Sequence, residues 1–297
     1  MKLLSYMTLT DDIPQIGMLH KTKNAIIPLS ILDIDYKDII SVIKQLTPAE
    51  FERLHLAQTA LEIPTIPLTS VKLCAPIPNP PQDIICLGIN YKEHKEEADK
   101  YEPNTFSNKE AYPIYFSKRV NETTACGETI PSYSNIVDSL DYEAELAVII
   151  GKDAKNVSEE DAEKYVFGYT ILNDISARNI QKKHTQWYFG KSFDGFAPLG
   201  PYITTADEMP LPLDVSIKCY VNGELRQSSS TAHMIYTIPH IISELSQGMT
   251  LKAGTIISTG TPSGVGMGFQ PPKFLQPGDE VCCEIDGIGT LINTIGN

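Results

Sequence analysis

The sequence predicts a mainly β, mixed α+β protein. Short apolar runs rich in Ile and Val recur from residue 84 onward and end at Gly, Pro or Asp. Asn222-Gly223 and Asp286-Gly287 are hairpin signals, because these dipeptides tolerate the positive φ of a tight turn. Helical patterns are few and sit behind recognisable caps.

Residues 2–6 read as a short strand. Ile39, Ile40, Val42 and Ile43 fall at helical spacing and place a helix over 35–45. A second helix begins at Thr47, which suits an N-cap, with Pro48 at the first helical position and Glu50 completing a capping box. Six prolines between residues 64 and 81 remove backbone donors and hold the chain extended, so this stretch reads as a connector. The expected division is a small N-terminal α+β domain, 1–70, and a larger domain, 71–297. Within the latter, strands are expected at 84–87, 114–116, 143–150, 166–172, 215–221, 255–258, 280–285 and 289–292. Helices are expected from Ser158, where Ser158-x-x-Asp161 is a capping pattern, and over 239–247, closed by Gly248. Pro277-Gly278-Asp279 marks another turn.

Composition limits the function. The 297 residues hold 24 Lys+Arg against 37 Asp+Glu, a net charge of −13. That charge repels nucleic acid and anionic membrane surfaces, so neither is an expected partner. With 42% hydrophobic and 21% charged residues the chain reads as globular. No apolar run approaches the roughly 18–20 residues of a membrane span, and the first residues lack a signal-like apolar stretch. A cytoplasmic location is expected. Six cysteines without a C-x-x-C pair argue for reduced, mostly buried thiols and against zinc-ribbon or thioredoxin-like chemistry.

The segment Asp141-Tyr142-Glu143-Ala144-Glu145 carries the strongest chemical signal. On a strand, alternation puts all three acids on one face. Alternating acids usually mark a solvated face, but this face continues into Ala147 and Ile149, as if entering a core. Stacked like charges there call for a cation. Asp174 ends the next apolar run and is either a further ligand or a helix N-cap. Oxygen-only ligands select Mg²⁺, Mn²⁺ or Ca²⁺ over zinc. Upstream, His94 and Glu97 would share a helix face, where the acid fixes the imidazole tautomer and suits it to act as a base. On pattern alone, a solvated surface helix is the better reading of that segment.

Together the motifs resemble the fumarylacetoacetate hydrolase family. They are Gly88-x-Asn90-Tyr91-x-x-His94-x-x-Glu97, Tyr142-Glu143-x-Glu145-Leu146 and Asn173-Asp174-x-Ser176-x-Arg178-x-x-Gln181. Gly190-Lys191-Ser192-x-Asp194, Thr259-Gly260-Thr261-Pro262-x-Gly264-Val265-Gly266, Pro277-Gly278-Asp279 and Gly287-x-Gly289-x-Leu291-x-Asn293 follow in the family's order, over about residues 72–297. The length and the small N-terminal unit are similar to bacterial 2-hydroxyhepta-2,4-diene-1,7-dioate isomerases and domain-containing-2 relatives.

The resemblance implies a mixed β-sandwich roll, assembled as a homodimer. It implies a Mg²⁺ or Mn²⁺ held by Glu143, Glu145 and Asp174, with Asp141 outside the ligand set. It assigns a catalytic dyad to His94 and Glu97, on a segment that serves as a lid, and an active-site lysine to Lys191. Candidate substrate contacts are Gln181, Thr261, Arg178 and Asn90, although Arg178 also suits a core acid. The expected substrate is a small 2-oxo or 2-hydroxy-dienoic acid, enolised and then cleaved by C–C hydrolysis or isomerised. The alternatives are oxaloacetate decarboxylation or tautomerisation at the same site, and a non-catalytic protein stapled by its metal. Three departures bear on specificity. Ile89 stands where some acylpyruvate-cleaving members carry Arg, the spacer from Gln181 to Lys191 is short, and the lid segment 93–102 holds five acids.

Overall fold

The strand Ala144–Ile150 lies within the larger β-sheet and packs one face on a five-stranded sheet in this computed structural model, which describes residues 1–101, 112–184 and 186–297. Every residue of that strand is buried. Ala144, Leu146, Val148 and Ile150 enter one core, while Ala147 and Ile149 on the other face enter a second. A strand buried on both faces reads as a continuous apolar run, as this one does.

The larger sheet has eleven strands among the described residues. Its centre is antiparallel: Ala144–Ile150 lies between Val166–Asn173 and Ile256–Ser258. Beyond Ile256–Ser258 come Ile84–Leu87, paired parallel to it, and then Tyr115–Lys118. On the other side Leu199–Thr205 joins Val166–Asn173 to Lys2–Thr8. The smaller sheet is ordered Glu224–Ser230, Ser216–Val221, Glu280–Ile285, Gly289–Ile295, Thr129–Ile130. Alternate residues of Ser216–Val221 and Glu280–Ile285 are buried, and Ile217, Cys219, Val281 and Cys283 pack in the core with Leu146 and Val148. The mainly β, mixed α+β architecture matches the expectation.

Residues 1–70 do not close on a sheet of their own. Lys2–Thr8 pairs with Leu199–Thr205, and Met1, Leu3, Ile39 and Val42 share a core with Ala147, Ile149 and Ile203. The expected boundary at 70 therefore runs through one sheet and one core. The proline stretch also differs from a bare connector. Between Pro67 and Pro76 every residue keeps its N–H, and Val71–Cys74 pairs with Lys2–Thr8.

The helices follow their caps. Pro48–Ala57 carries the expected Thr47–Glu50 capping box. The first helix is shorter than expected, Ile39–Gln45, because the Asp38 side chain caps it at Ser41 N. Ser158 caps a 3₁₀ segment, Glu159–Tyr165. Ile238–Gly248 starts from Thr237 and buries Ile238, Ile241, Ile242 and Leu245. All six cysteines are free. No helix among the described residues is long and apolar enough to cross a membrane.

Candidate active site

The site forms where strands of the larger sheet end. Glu143 immediately precedes Ala144–Ile150, Glu145 is its second residue, and Asp174 follows Val166–Asn173. Pairing of Ala144 with Asn173 brings these ends together, and Asp174 N donates to Glu143 O at 2.8 Å. One carboxylate oxygen from each of Glu143, Glu145 and Asp174 lies within 4.8 Å of the others, and all three residues are buried. These are the three acids expected to hold a metal.

Two buried lysines flank the cluster. Lys191 Nζ donates to Glu143 Oε2 and to Asp174 Oδ2, each at 2.7 Å. Burial alone would lower its pKa, but Asp174 and Glu143 outweigh this and hold the ammonium charged above the usual lysine range. Lys118 Nζ donates to Asp174 Oδ1 at 2.7 Å and to Ile175 O at 3.0 Å. Sequence reasoning missed Lys118. It shares a strand face with Phe116, whose ring centre lies 5.3 Å from Lys191 Nζ.

The three acids are not equivalent. Burial pushes the Glu143 carboxyl up, but Lys191 and Arg178 overcome it and bring it down to about 2. Glu145 is pushed well above the usual carboxylate range, first by burial and then by the charges of Asp174 and Glu143. Its Oε2 accepts from Ser258 Oγ and Gly260 N, and no cation among the described residues pairs with it. A buried acid with neutral donors, aimed at two other carboxylates, fits a hard divalent cation with oxygen ligands.

The His94–Glu97 pair lies on the helix Lys92–Tyr101. His94 is buried, not solvated as pattern alone suggested, and its Nδ1 lies 2.9 Å from Glu97 Oε2. Glu97 Oε1 accepts from Gly264 N at 3.0 Å. The imidazole is near enough to Glu143 to help lower that carboxyl. Within the acidic segment 93–102, Glu93 pairs with His233 at 3.2 Å; the side chain of Asp99 and all of Glu102 lie outside the described residues.

The remaining candidates divide by what they already touch. Arg178 binds acids: Nε meets Asp141 Oδ2 at 2.9 Å and Nη2 meets Glu143 Oε1 at 2.6 Å. Gln181 Oε1 accepts from Arg178 Nη1 at 3.0 Å. Asn90 uses its whole amide on backbone, donating to Tyr236 O and Thr259 O and accepting from Tyr236 N. Thr261 Oγ1 donates to Ala144 O and accepts from Gln227 Nε2. The Asn90 and Thr261 side chains, expected as substrate contacts, thus brace the backbone of loops around the site. Trp187 stands edge-on to Phe116 at 5.3 Å, beside the lysine wall.

A buried carboxylate triad with two ammonium groups and an adjacent His–Glu pair defines a metal-competent enzyme centre on a β roll. The family model described as fumarylacetoacetate (FAA) hydrolase C-terminal matches residues 83–296, and the chain belongs to that family of enzymes. Oxaloacetate tautomerase YisK of Bacillus subtilis (strain 168) is 49% identical over 233 residues, 77% of this chain and 74% of that protein. Among solved structures, fumarylacetoacetate hydrolase from psychrophilic Exiguobacterium antarcticum is 36% identical with a TM-score of 0.84, covering 100% of this chain and 99% of that one. Maleylpyruvate hydrolase from Sphingobium sp. SYK-6, solved with manganese(II) and pyruvate, is 30% identical with a TM-score of 0.75, at 100% and 99% coverage.

Proposed function

We propose that this chain is a divalent-metal-dependent enzyme that enolises short 2-oxo acids, and that its reaction is keto–enol tautomerisation of oxaloacetate. The observation that carries this is the closed His94–Glu97 pair set against the cluster of Glu143, Glu145, Asp174 and Lys191. The similarity to an oxaloacetate tautomerase supports it. Glu143, Glu145 and Asp174 would hold Mg²⁺ or Mn²⁺, which supplies Lewis-acid polarisation of a 2-oxo carbonyl.

The chain's own groups do the rest. Glu97 accepts the Nδ1 proton of His94, which leaves Nε2 with a lone pair. In the ketone-to-enol direction Nε2 removes a proton from C3 while the 2-oxygen takes one up from solvent, and in the reverse direction C3 regains its proton from Nε2 as the enol O–H gives its own back to solvent. Lys191, held charged by two acids, places a positive charge beside the oxygen that gains electron density. Gln181 keeps its amide nitrogen available for a substrate carboxylate, since only its Oε1 is engaged among the described residues.

A second reading is C–C hydrolysis of an acylpyruvate, favoured by the same dyad. Its histidine can activate water as well as it can accept a C3 proton. The test supplies Mg²⁺ or Mn²⁺ and follows enol absorbance and product mass with oxaloacetate and acetylpyruvate. Accelerated keto–enol exchange of oxaloacetate, lost in Glu145→Ala, supports the proposal. Pyruvate plus a free acid from acetylpyruvate moves the assignment to the hydrolase, and CO₂ with pyruvate moves it to a decarboxylase. Silence with metal bound overturns both readings and leaves a non-catalytic role.

A further inference from the structure

Asp141 is fully buried and outside the carboxylate triad, yet its two oxygens accept four donors. Oδ1 accepts from Tyr142 N at 3.0 Å and Gly266 N at 2.6 Å. Oδ2 accepts from Met267 N at 3.0 Å and Arg178 Nε at 2.9 Å. Two of these donors belong to the glycine-rich loop at residues 264–268, which turns through Gly264 at φ +100°. Asp141 binds the middle of that loop, and both its ends meet the dyad: Gly264 N donates to Glu97 Oε1, and a Cβ on Gly268 would overlap the Glu97 carboxylate. Arg178 carries the connection onward to Glu143 Oε1.

We propose that Asp141 is a positioning residue. It clamps the 264–268 loop so that Glu97, and through it His94, is held at a fixed distance from the triad. One continuous path of short contacts runs from the base to the ligand acids: His94, Glu97, the loop, Asp141, Arg178, Glu143. The physical reason for a buried acid here is donor count. A carboxylate accepts two loop amides and a guanidinium at once, whereas an amide side chain would turn a donor toward one of them. The loop's close approach explains its composition, since Gly266 and Gly268 each press backbone against a carboxylate oxygen.

The kinetic arm of the test rests on the proposed function. Asp141→Asn is expected to lower kcat about 10- to 100-fold, as loss of an orienting group does. KM and Mn²⁺ affinity should stay within about threefold if the effect runs through the dyad. In a Glu97→Gln background the same change should cause no further loss, because both act on one unit. An additive loss, or a loss that falls on Mn²⁺ affinity, overturns the proposal. Should Asp141→Asn not fold, Gly268→Ala takes its place in the cycle: its Cβ would meet the Glu97 carboxylate and displace it from the loop that Asp141 clamps.

A second arm needs no turnover. The Nδ1 proton of His94, held by Glu97, should give a low-field, slowly exchanging proton resonance that is absent in His94→Gln. The resonance should be lost by exchange in Asp141→Asn, and its persistence unchanged refutes the coupling. If the wild-type protein converts no 2-oxo acid, the functional proposal fails and this resonance still decides the role of Asp141.

Discussion

Replacing Lys118 with methionine tests the electrostatics of the centre most directly. Lys118 is fully buried, and its ammonium makes two hydrogen bonds, to Asp174 Oδ1 and to Ile175 O. Methionine fills nearly the same volume but leaves Asp174 with one cation partner and Ile175 O without this donor. Breaking a buried pair from one side costs about 3–5 kcal/mol. The low end applies, because burial already pushes the Lys118 pKa down, so removing the ammonium relieves some desolvation. At about 2 °C per kcal/mol for a chain of this size, the metal-free variant should melt about 6 °C below wild type. The charge balance predicts what metal does. With all four acids ionised, as a bound metal would require, Asp141, Glu143, Glu145 and Asp174 face Lys118, Arg178 and Lys191, which leaves one negative charge; the variant leaves two. A divalent cation then neutralises the cluster, and saturating Mn²⁺ should close at least half of the melting gap. Thermal melts in chelator and in Mn²⁺ decide it. A variant within about 2 °C of wild type in chelator, or a gap that Mn²⁺ leaves unchanged, refutes the reasoning.

Glu145→Gln should raise the melting temperature of chelated protein, since it removes the acid that burial and two neighbouring carboxylates hold high, while lowering Mn²⁺ affinity at least about tenfold by titration calorimetry. Glu143 sits at about 2 in the folded protein, against about 4.3 in an unfolded chain. Its contribution is therefore complete above the unfolded value and is lost as pH falls toward 2, and Glu143→Gln should flatten that acid limb of a melting-temperature profile. Gly168→Ala should destabilise by about 1–3 kcal/mol in chemical denaturation, because its Cβ would overlap Thr204 O on the neighbouring strand. An unchanged midpoint would contradict the pairing of Val166–Asn173 with Leu199–Thr205.

How much of this was legible depended on distance along the chain. The Thr47 capping box and the Ile/Val strands could be read because every partner lies within a few residues. Leu199–Thr205 was not anticipated, since Leu-Gly-Pro reads as a turn, yet it is the strand that ties Lys2–Thr8 to the catalytic sheet. Asp11–Leu19 was hidden by its two leading acids and Pro14. In the site, alternation placed Glu143 and Glu145 on one strand face. It did not set Asp141 apart, because the strand breaks before Ala144 and Asp141 belongs to a separate short pair with Ser176. Lys118 was invisible because a lysine closing a short apolar strand looks like a solvent-facing end, and its acid lies 56 residues on. The dyad looked like a surface helix because the loop that buries it comes from 167 residues away.

Enolisation and hydrolysis share their first demand, a base poised over an acid-rich, metal-competent floor. They diverge on what the base touches next. A tautomerase needs the imidazole to reach C3 and to keep water away from the neighbouring carbon. A hydrolase needs the same nitrogen to hold a water on a second carbonyl. The triad and the lysines serve both reactions alike, so they cannot set the outcome. On the proposed mechanism that outcome falls to the position of His94, whose ring meets Glu97, which meets Gly264 and the loop bound by Asp141. A shift of about 1 Å in a catalytic group is enough to cost two orders of magnitude in rate. On the proposed mechanism the glycine loop is therefore where this chain's choice between the two reactions is set. In this chain its two carboxylate anchors, Glu97 and Asp141, hold it from both the His94 side and the side of the carboxylate triad.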